Sequence, residues 1–221
     1  MSILAQRYRD VMPLKAEYSE KKERILRRLD DFREVGLRSD RELFEELAFC
    51  LLAIQTKARV ADATVRALVT NGSLWLGAEG SLAHALRHRV RFHNHKATYL
   101  VRARERFFPD GRPGLRRFLD GFASNLDARA GLVREIDGLG LKEASHFLRN
   151  IGRGDGLAIL DRHVLRNLQR HRVIGRLPAS LTARRYLRIE ETMRAFSDFA
   201  EIPMEALDLV FWCRETGEIF K

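Results

Sequence analysis

Hydrophobic positions recur at helical spacing along most of the chain. In Glu42–Ile54, Leu43, Phe44, Leu47, Ala48, Leu51 and Leu52 fall at i, i+1, i+4, i+5, i+8 and i+9. That pattern predicts a helix buried over much of its circumference. The same period predicts helices over Val60–Val69, Ala97–Phe107, Gly114–Phe122, Ala128–Ile136, Glu143–Ile151, Arg162–Gln169, Ala183–Phe199 and Met204–Cys213. Pro203 suits the first turn of the last of these, where no amide is needed. Breaks are expected at Asn71–Gly72, Pro109–Gly114, Gly138–Gly140, Gly152–Gly156 and Gly175–Pro178. The only plausible extended piece is Leu157–Leu160, and there is neither an internal repeat nor a long Gly/Pro/Ser linker. The fold class expected is all-α, in one two-lobed body over residues 1–221 with a groove between the lobes.

Charge narrows the class of partner. The 221 residues carry 40 Lys and Arg against 30 Asp and Glu, a net +10, and only seven of the 40 are lysine. Arginine stays charged and suits bidentate phosphate recognition, so a polyanion, most commonly nucleic acid, is the expected partner. The longest apolar run, Leu47–Ile54, is far short of the ~20 residues of a membrane span. Gln6, Arg7, Arg9 and Asp10 interrupt any secretory h-region, which reads as a soluble intracellular protein. Cys50 and Cys213 cannot make a four-cysteine zinc or iron–sulfur site and read as small core residues. His93 and His95, at i, i+2 without a nearby carboxylate or cysteine, do not read as metal ligands. His84 and His88 lack the glutamate of a zincin motif. No metal and no cofactor is expected.

The most informative stretch is Leu132–Leu165. It reads helix, Gly138-Leu139-Gly140 hairpin, second helix from Leu141–Lys142, glycine turn, then Asp161 opening another helix. Two glycines around one apolar residue allow a tight turn and close backbone approach, and a helix N-terminus with free amides attracts anions. The hairpin is thus either an ordinary helix–helix turn or a sequence-independent phosphate clamp. Lys142 stands at its mouth, at the positive end of a helix in an Arg-rich chain, where its ammonium is disfavoured. It is either a phosphate contact or a nucleophile toward an electrophilic carbon. Asp161 is either a plain N-cap or a carboxylate folded back beside Lys142 to take its proton and face developing positive charge.

Ile136–Lys142, the following KEASHFLRN (142–150) and AILDRHV (158–164) together resemble a helix-hairpin-helix DNA glycosylase. The chain is similar in particular to the archaeal-type (type 2) 8-oxoguanine DNA glycosylase/AP lyases, also through FCLLAIQTK (49–57), VRFHNHKA (90–97) and LDLVFWCRETGEIFK (207–221). The resemblance spans about residues 40–221, with the helix-hairpin-helix at about 128–151. It implies a two-lobed all-α fold, excision of 8-oxoguanine from double-stranded DNA, and strand cleavage 3′ of the abasic site by β-elimination through a lysine Schiff base. A monomer acting on DNA in the cytoplasm or nucleoid is expected.

Position by position, the resemblance makes Lys142 the Schiff-base nucleophile and Asp161 the catalytic aspartate. Gly138 and Gly140 become the phosphate-binding turn, and His163 lies among the DNA-phosphate contacts. Gln55 fills the space left by the extruded base, Phe92 and Trp212 sandwich that base, and the terminal Lys221 contacts the damaged purine. Taken alone, Gln55 could simply end its helix, Trp212 could be core, and Lys221 could be a frayed terminus.

The chain lacks the four closely spaced cysteines of the cluster-bearing endonuclease III relatives, and the extra N-terminal domain of the eukaryotic-type 8-oxoguanine enzymes. Two other readings compete. A monofunctional glycosylase for alkylated or mispaired adenine needs no lysine at 142, and a non-catalytic hairpin module needs neither Lys142 nor Asp161.

Overall fold

Two apolar cores, rather than one, organise the chain. The computed structural model describes residues 8–221, so Gln6 and Arg7 lie outside the described residues. The first core is built from α2 (Asp40–Ala53), α3 (Ala58–Thr70), the short α4 (Ser73–Leu76), α5 (Glu79–Leu86), α6 (His93–Phe107), α7 (Leu115–Asp120), α8 (Asn125–Glu135) and α9 (Leu141–Asn150). The second gathers α1 (Val11–Leu37), α10 (Arg162–Arg170), α11 (Ala183–Ala200) and α12 (Met204–Thr216). No strand occurs among the described residues. The described residues are all-α, as the periodicity implies, and form two lobes, one around each core.

Helix α2 carries the pattern that marks it from sequence. Leu43, Phe44, Leu47, Ala48, Phe49, Leu51 and Leu52 are all buried. Its start is fixed by a capping box: the Ser39 hydroxyl accepts from the Glu42 amide, and the Glu42 carboxylate accepts from the Ser39 amide. Helix α6 begins at His93, four residues before the apolar pattern suggests, because Phe92 takes a left-handed conformation (φ 56°) just outside it. Helix α1, 27 residues long, is not marked by the sequence pattern. It buries only Leu14, Ile25, Leu29 and Phe32, packs along α12 and extends to α9. At that crossing Gly36 lies so close to Ile151 that a Cβ would collide with its carbonyl oxygen.

The stretch Leu157–Leu160 is where the chain crosses between cores: Leu157 belongs to the first, Ala158 and Leu160 to the second. It has no strand partner. Its backbone is served by side chains of α11, since the Tyr186 hydroxyl donates to Ala158 O (2.5 Å) and the Ala158 amide donates to Glu190 Oε1 (2.8 Å). Glu190 also pairs bidentately with Arg129 of α8 at 2.6 and 2.8 Å, and Arg129 reaches Ser145 of α9 at 3.1 Å. Both charges are almost fully buried. Such a pair is stable only while intact, because removing one partner strands the other at a cost of about 3–5 kcal/mol. The network ties α8 and α9 to the second lobe.

Candidate active site

A cleft of about 820 Å³ lies where the two cores meet, and most of the residues singled out from sequence line it. The hairpin between α8 and α9 sets its first wall. Gly138 has φ 79°, and a Cβ there would strike the Tyr99 ring, so this position requires glycine. Leu139 between the glycines is buried in the first core, and the Asp137 carboxylate accepts from Arg102 of α6 at 2.6 Å. Gly140 is the N-cap of α9 and provides no side-chain hydrogen bond to it. The first-turn amides are thereby kept clear of a capping side chain, in the arrangement that receives anions.

Helix α9 presents one polar stripe to the cleft: Lys142, His146 and Arg149, at i, i+4 and i+7. Lys142 is the second helical residue, about a quarter exposed, with Nζ 3.6 Å from Glu143 Oε1. The same cleft is lined by Asp161, the N-cap of α10, whose Oδ1 accepts from the Val164 amide at 2.7 Å. Capping holds this carboxylate in the cleft wall. His163 follows, edge-on to Trp212 with ring centroids 5.1 Å apart and Nδ1 3.7 Å from Glu215.

Helix α12 contributes Asp208 and Trp212, one turn apart, so Trp212 lines the cleft rather than filling the core. Burial pushes the Asp208 carboxyl up to about 6; Arg149 (3.4 Å away) and Lys142 oppose that rise, and Asp161 adds to it. Asp208 thus feels Lys142 and Asp161 together. Burial, reinforced by Arg149, Lys142 and Lys221, holds His146 well below the usual imidazole range, so this ring is neutral at physiological pH.

The C-terminal tail folds back into the site. Phe220 is buried beneath the Arg59 guanidinium, 3.9 Å from the ring centroid. Lys221 Nζ bonds Glu46 Oε1 at 2.6 Å, lies 3.1 Å from Asp62 Oδ1 and sits 4.9 Å over the Phe49 ring. Lys221 is a docked terminus lining the same cleft as Trp212. Gln55, on the link between α2 and α3, is exposed at the cleft with φ 51°. Phe92 is the exception: it is half exposed, beneath the Arg91 guanidinium, and does not line the cleft, whereas Arg91 does. Gly138 and Gly140 lie outside the cleft wall, at the end of the helix that carries Lys142.

His146, Arg149 and Asp208 belong to the site but do not stand out in the sequence. None belongs to a motif of its own, although counting helical turns from Lys142 and back from Trp212 reaches all three. Cys50 and Cys213 are both buried. Among the described residues no group of three or more His, Cys, Asp or Glu side chains could hold a metal ion. No helix among them is long and apolar enough to cross a membrane.

The comparisons agree with this geometry. A family profile described as 8-oxoguanine DNA glycosylase matches residues 25–202. An 8-oxoguanine DNA glycosylase/AP lyase from Fusobacterium nucleatum is 40% identical over 205 residues, covering 92% of this chain and 94% of that protein. The crystal structure of the Methanocaldococcus jannaschii 8-oxoguanine DNA glycosylase superposes with a TM-score of 0.85 at 33% identity, over 96% of this chain and 95% of that one. The same archaeon's enzyme in complex with a 15mer DNA containing 8-oxoguanine gives 0.83 at 33% identity, over 94% and 99% of the two chains. With its hairpin, its docked tail and Lys142 facing the same cleft as Asp161, this chain belongs to the 8-oxoguanine DNA glycosylase family.

Proposed function

We propose that the protein excises 8-oxoguanine from double-stranded DNA and then cuts the strand 3′ of the abasic site. The observation that carries this reading is the presence of Lys142 and Asp161 in one interlobe cleft, beside a helix start with no side-chain cap. A base within the duplex shields C1′, so the nucleotide is flipped out at a cost of a few kcal/mol. The Gly138–Gly140 turn and His163 grip phosphate without reading sequence. Gln55 fills the vacated space in the stack.

The Lys142 amine attacks C1′ as the C1′–N9 bond breaks, and Asp161 faces the positive charge growing on the sugar. Asp161 also serves as the base for the amine's proton. The purine leaves with the C1′–N9 electron pair and takes a proton from water; the C1′–O4′ bond then breaks as Asp161 passes its proton to O4′, turning the C1′–Nζ adduct into a Schiff base. The Schiff base acidifies C2′–H, loss of that proton expels the 3′ phosphate by β-elimination, and water hydrolyses the imine to free Lys142. Trp212 stacks on the purine. Lys221, whose ammonium is held by Glu46 and Asp62, reaches the damaged purine from the docked tail and contributes to telling 8-oxoguanine from guanine. The protein works as a monomer inside the cell, on nucleoid DNA.

The test is incubation with an 8-oxoguanine duplex: free 8-oxoguanine and a 3′ unsaturated aldehyde end are expected together. Release of the base from an uncut strand contradicts the lyase step. A chain ending at Phe220 adds a sharper expectation. It should excise 8-oxoguanine about 100-fold more slowly while cutting a preformed abasic site near the normal rate, because only the first substrate presents a base to recognise. Equal losses on both substrates, in single-turnover kinetics, exclude the tail from recognition.

A further inference from the structure

Lys96 is a buried lysine outside the catalytic machinery, one of only seven in the chain, and it is 2% exposed. Its ammonium donates to Leu52 O at 2.8 Å, Ile54 O at 2.6 Å and Thr56 Oγ1 at 3.1 Å. All three protons of the ammonium are thereby engaged. The oxygens come from the last turn of α2 and the link after it, which surround Gln55. Carbonyls at a helix C-terminus lack intrahelical partners, so a cation there both satisfies them and fixes the path the chain takes on leaving the helix.

That path is unusual at one residue. Gln55 has φ 51°, a conformation a residue with a Cβ rarely takes unless its surroundings impose it. The imposing contacts are visible: Lys96 bonds the residues on both sides of Gln55, the Thr56 amide donates to Ala53 O at 3.1 Å, and the Thr56 hydroxyl is 3.3 Å from Ile54 O. Gln55 itself is left exposed at the cleft. A side chain needed only for packing would be apolar. Burial pushes this ammonium down to about 8, with Arg91 adding to the effect, so keeping a charge here is costly unless every proton is bonded.

We propose that Lys96 is a positioning residue that presets the Gln55 link for insertion into the DNA stack. The proposal rests on the reading of Gln55 as the side chain that fills the vacated space. By holding the left-handed turn before DNA arrives, the clamp spares the complex the ordering of that link at the moment of flipping.

The test is a double-mutant cycle on single-turnover excision of 8-oxoguanine from duplex DNA, with 2-aminopurine fluorescence beside the lesion as the readout of unstacking. Lys96→Met keeps the volume of the stem and removes the three bonds. Lys96→Met and Gln55→Ala should each slow excision by about ten-fold or more and lower the 2-aminopurine signal. The double variant should lie within about two-fold of Gln55→Ala alone, because Lys96 acts through that side chain. A merely structural lysine would instead multiply its effect into the Gln55→Ala background, and that result overturns the proposal. No effect of Lys96→Met on a folded protein overturns it as well. If Gln55→Ala is itself silent, the stack-filling reading falls and the proposal falls with it. If Lys96→Met does not fold, Thr56→Val removes one of the three oxygens from the link: a smaller slowing that vanishes beside Gln55→Ala supports the clamp, and no slowing or an additive one refutes it.

Discussion

Lys142→Gln is expected to abolish borohydride trapping to 8-oxoguanine DNA and to lower excision by about four orders of magnitude, or ~5.5 kcal/mol of transition-state stabilisation. The amide of Gln cannot form a Schiff base, so the covalent route is closed rather than weakened. Folding and DNA binding should survive. Lys142 is about a quarter exposed, and its nearest carboxylate, Glu143, lies 3.6 Å away, a partly exposed pair worth little to stability. Gln is also a good helix former at the second position of α9. The clamp beside it is built from backbone amides, which the substitution does not touch. Affinity for an 8-oxoguanine duplex within about three-fold of wild type at fixed salt is the expected companion, one cation fewer accounting for the difference. A nicked product at the wild-type rate removes Lys142 from the reaction.

Asp161→Asn should slow excision by about 10²–10³-fold, equivalent to ~3–4 kcal/mol, because it removes the carboxylate facing the positive sugar while leaving its shape. The substitution separates the proposed catalytic role from the capping role at this residue. Asp161 caps α10 through its 2.7 Å bond from the Val164 amide, and asparagine caps helices about as well as aspartate. Melting temperature should therefore stay within about 2 °C while activity collapses. Asp161→Ala loses both roles, with about 1 kcal/mol of stability lost as well. An Asn variant whose lost stability matches its lost activity reduces Asp161 to a cap.

The parts of the fold legible in the sequence are those where apolar spacing is dense. Helix α2 and the hairpin helices α8 and α9 carry it, and they place Lys142. Helix α1 was not legible: between Leu14 and Ile25 it buries no residue, and its charged positions do not group on one face. It is held by α12 and α9, contacts that local periodicity cannot report. Helices α4 and α5, four and eight residues long, were also not marked: between them they bury only Leu74, Leu82 and Leu86. Of the residues singled out from sequence, Lys142, Asp161, His163, Gln55, Trp212 and Lys221 line one cleft. Phe92 does not, because its left-handed backbone leaves it half exposed outside the cleft. His146, Arg149 and Asp208 escaped because a buried polar residue one turn from a functional one looks, in sequence, like an interruption of core.

The central claim is that one amine, that of Lys142, joins the sugar. Borohydride trapping of the wild-type protein on an 8-oxoguanine duplex, followed by nuclease and protease digestion and mass mapping of the adduct, tests it most directly. A reduced sugar adduct is expected on the peptide bearing Lys142 and on no other. An adduct on another lysine or on the chain's amino terminus, or base release with no adduct at all, contradicts it.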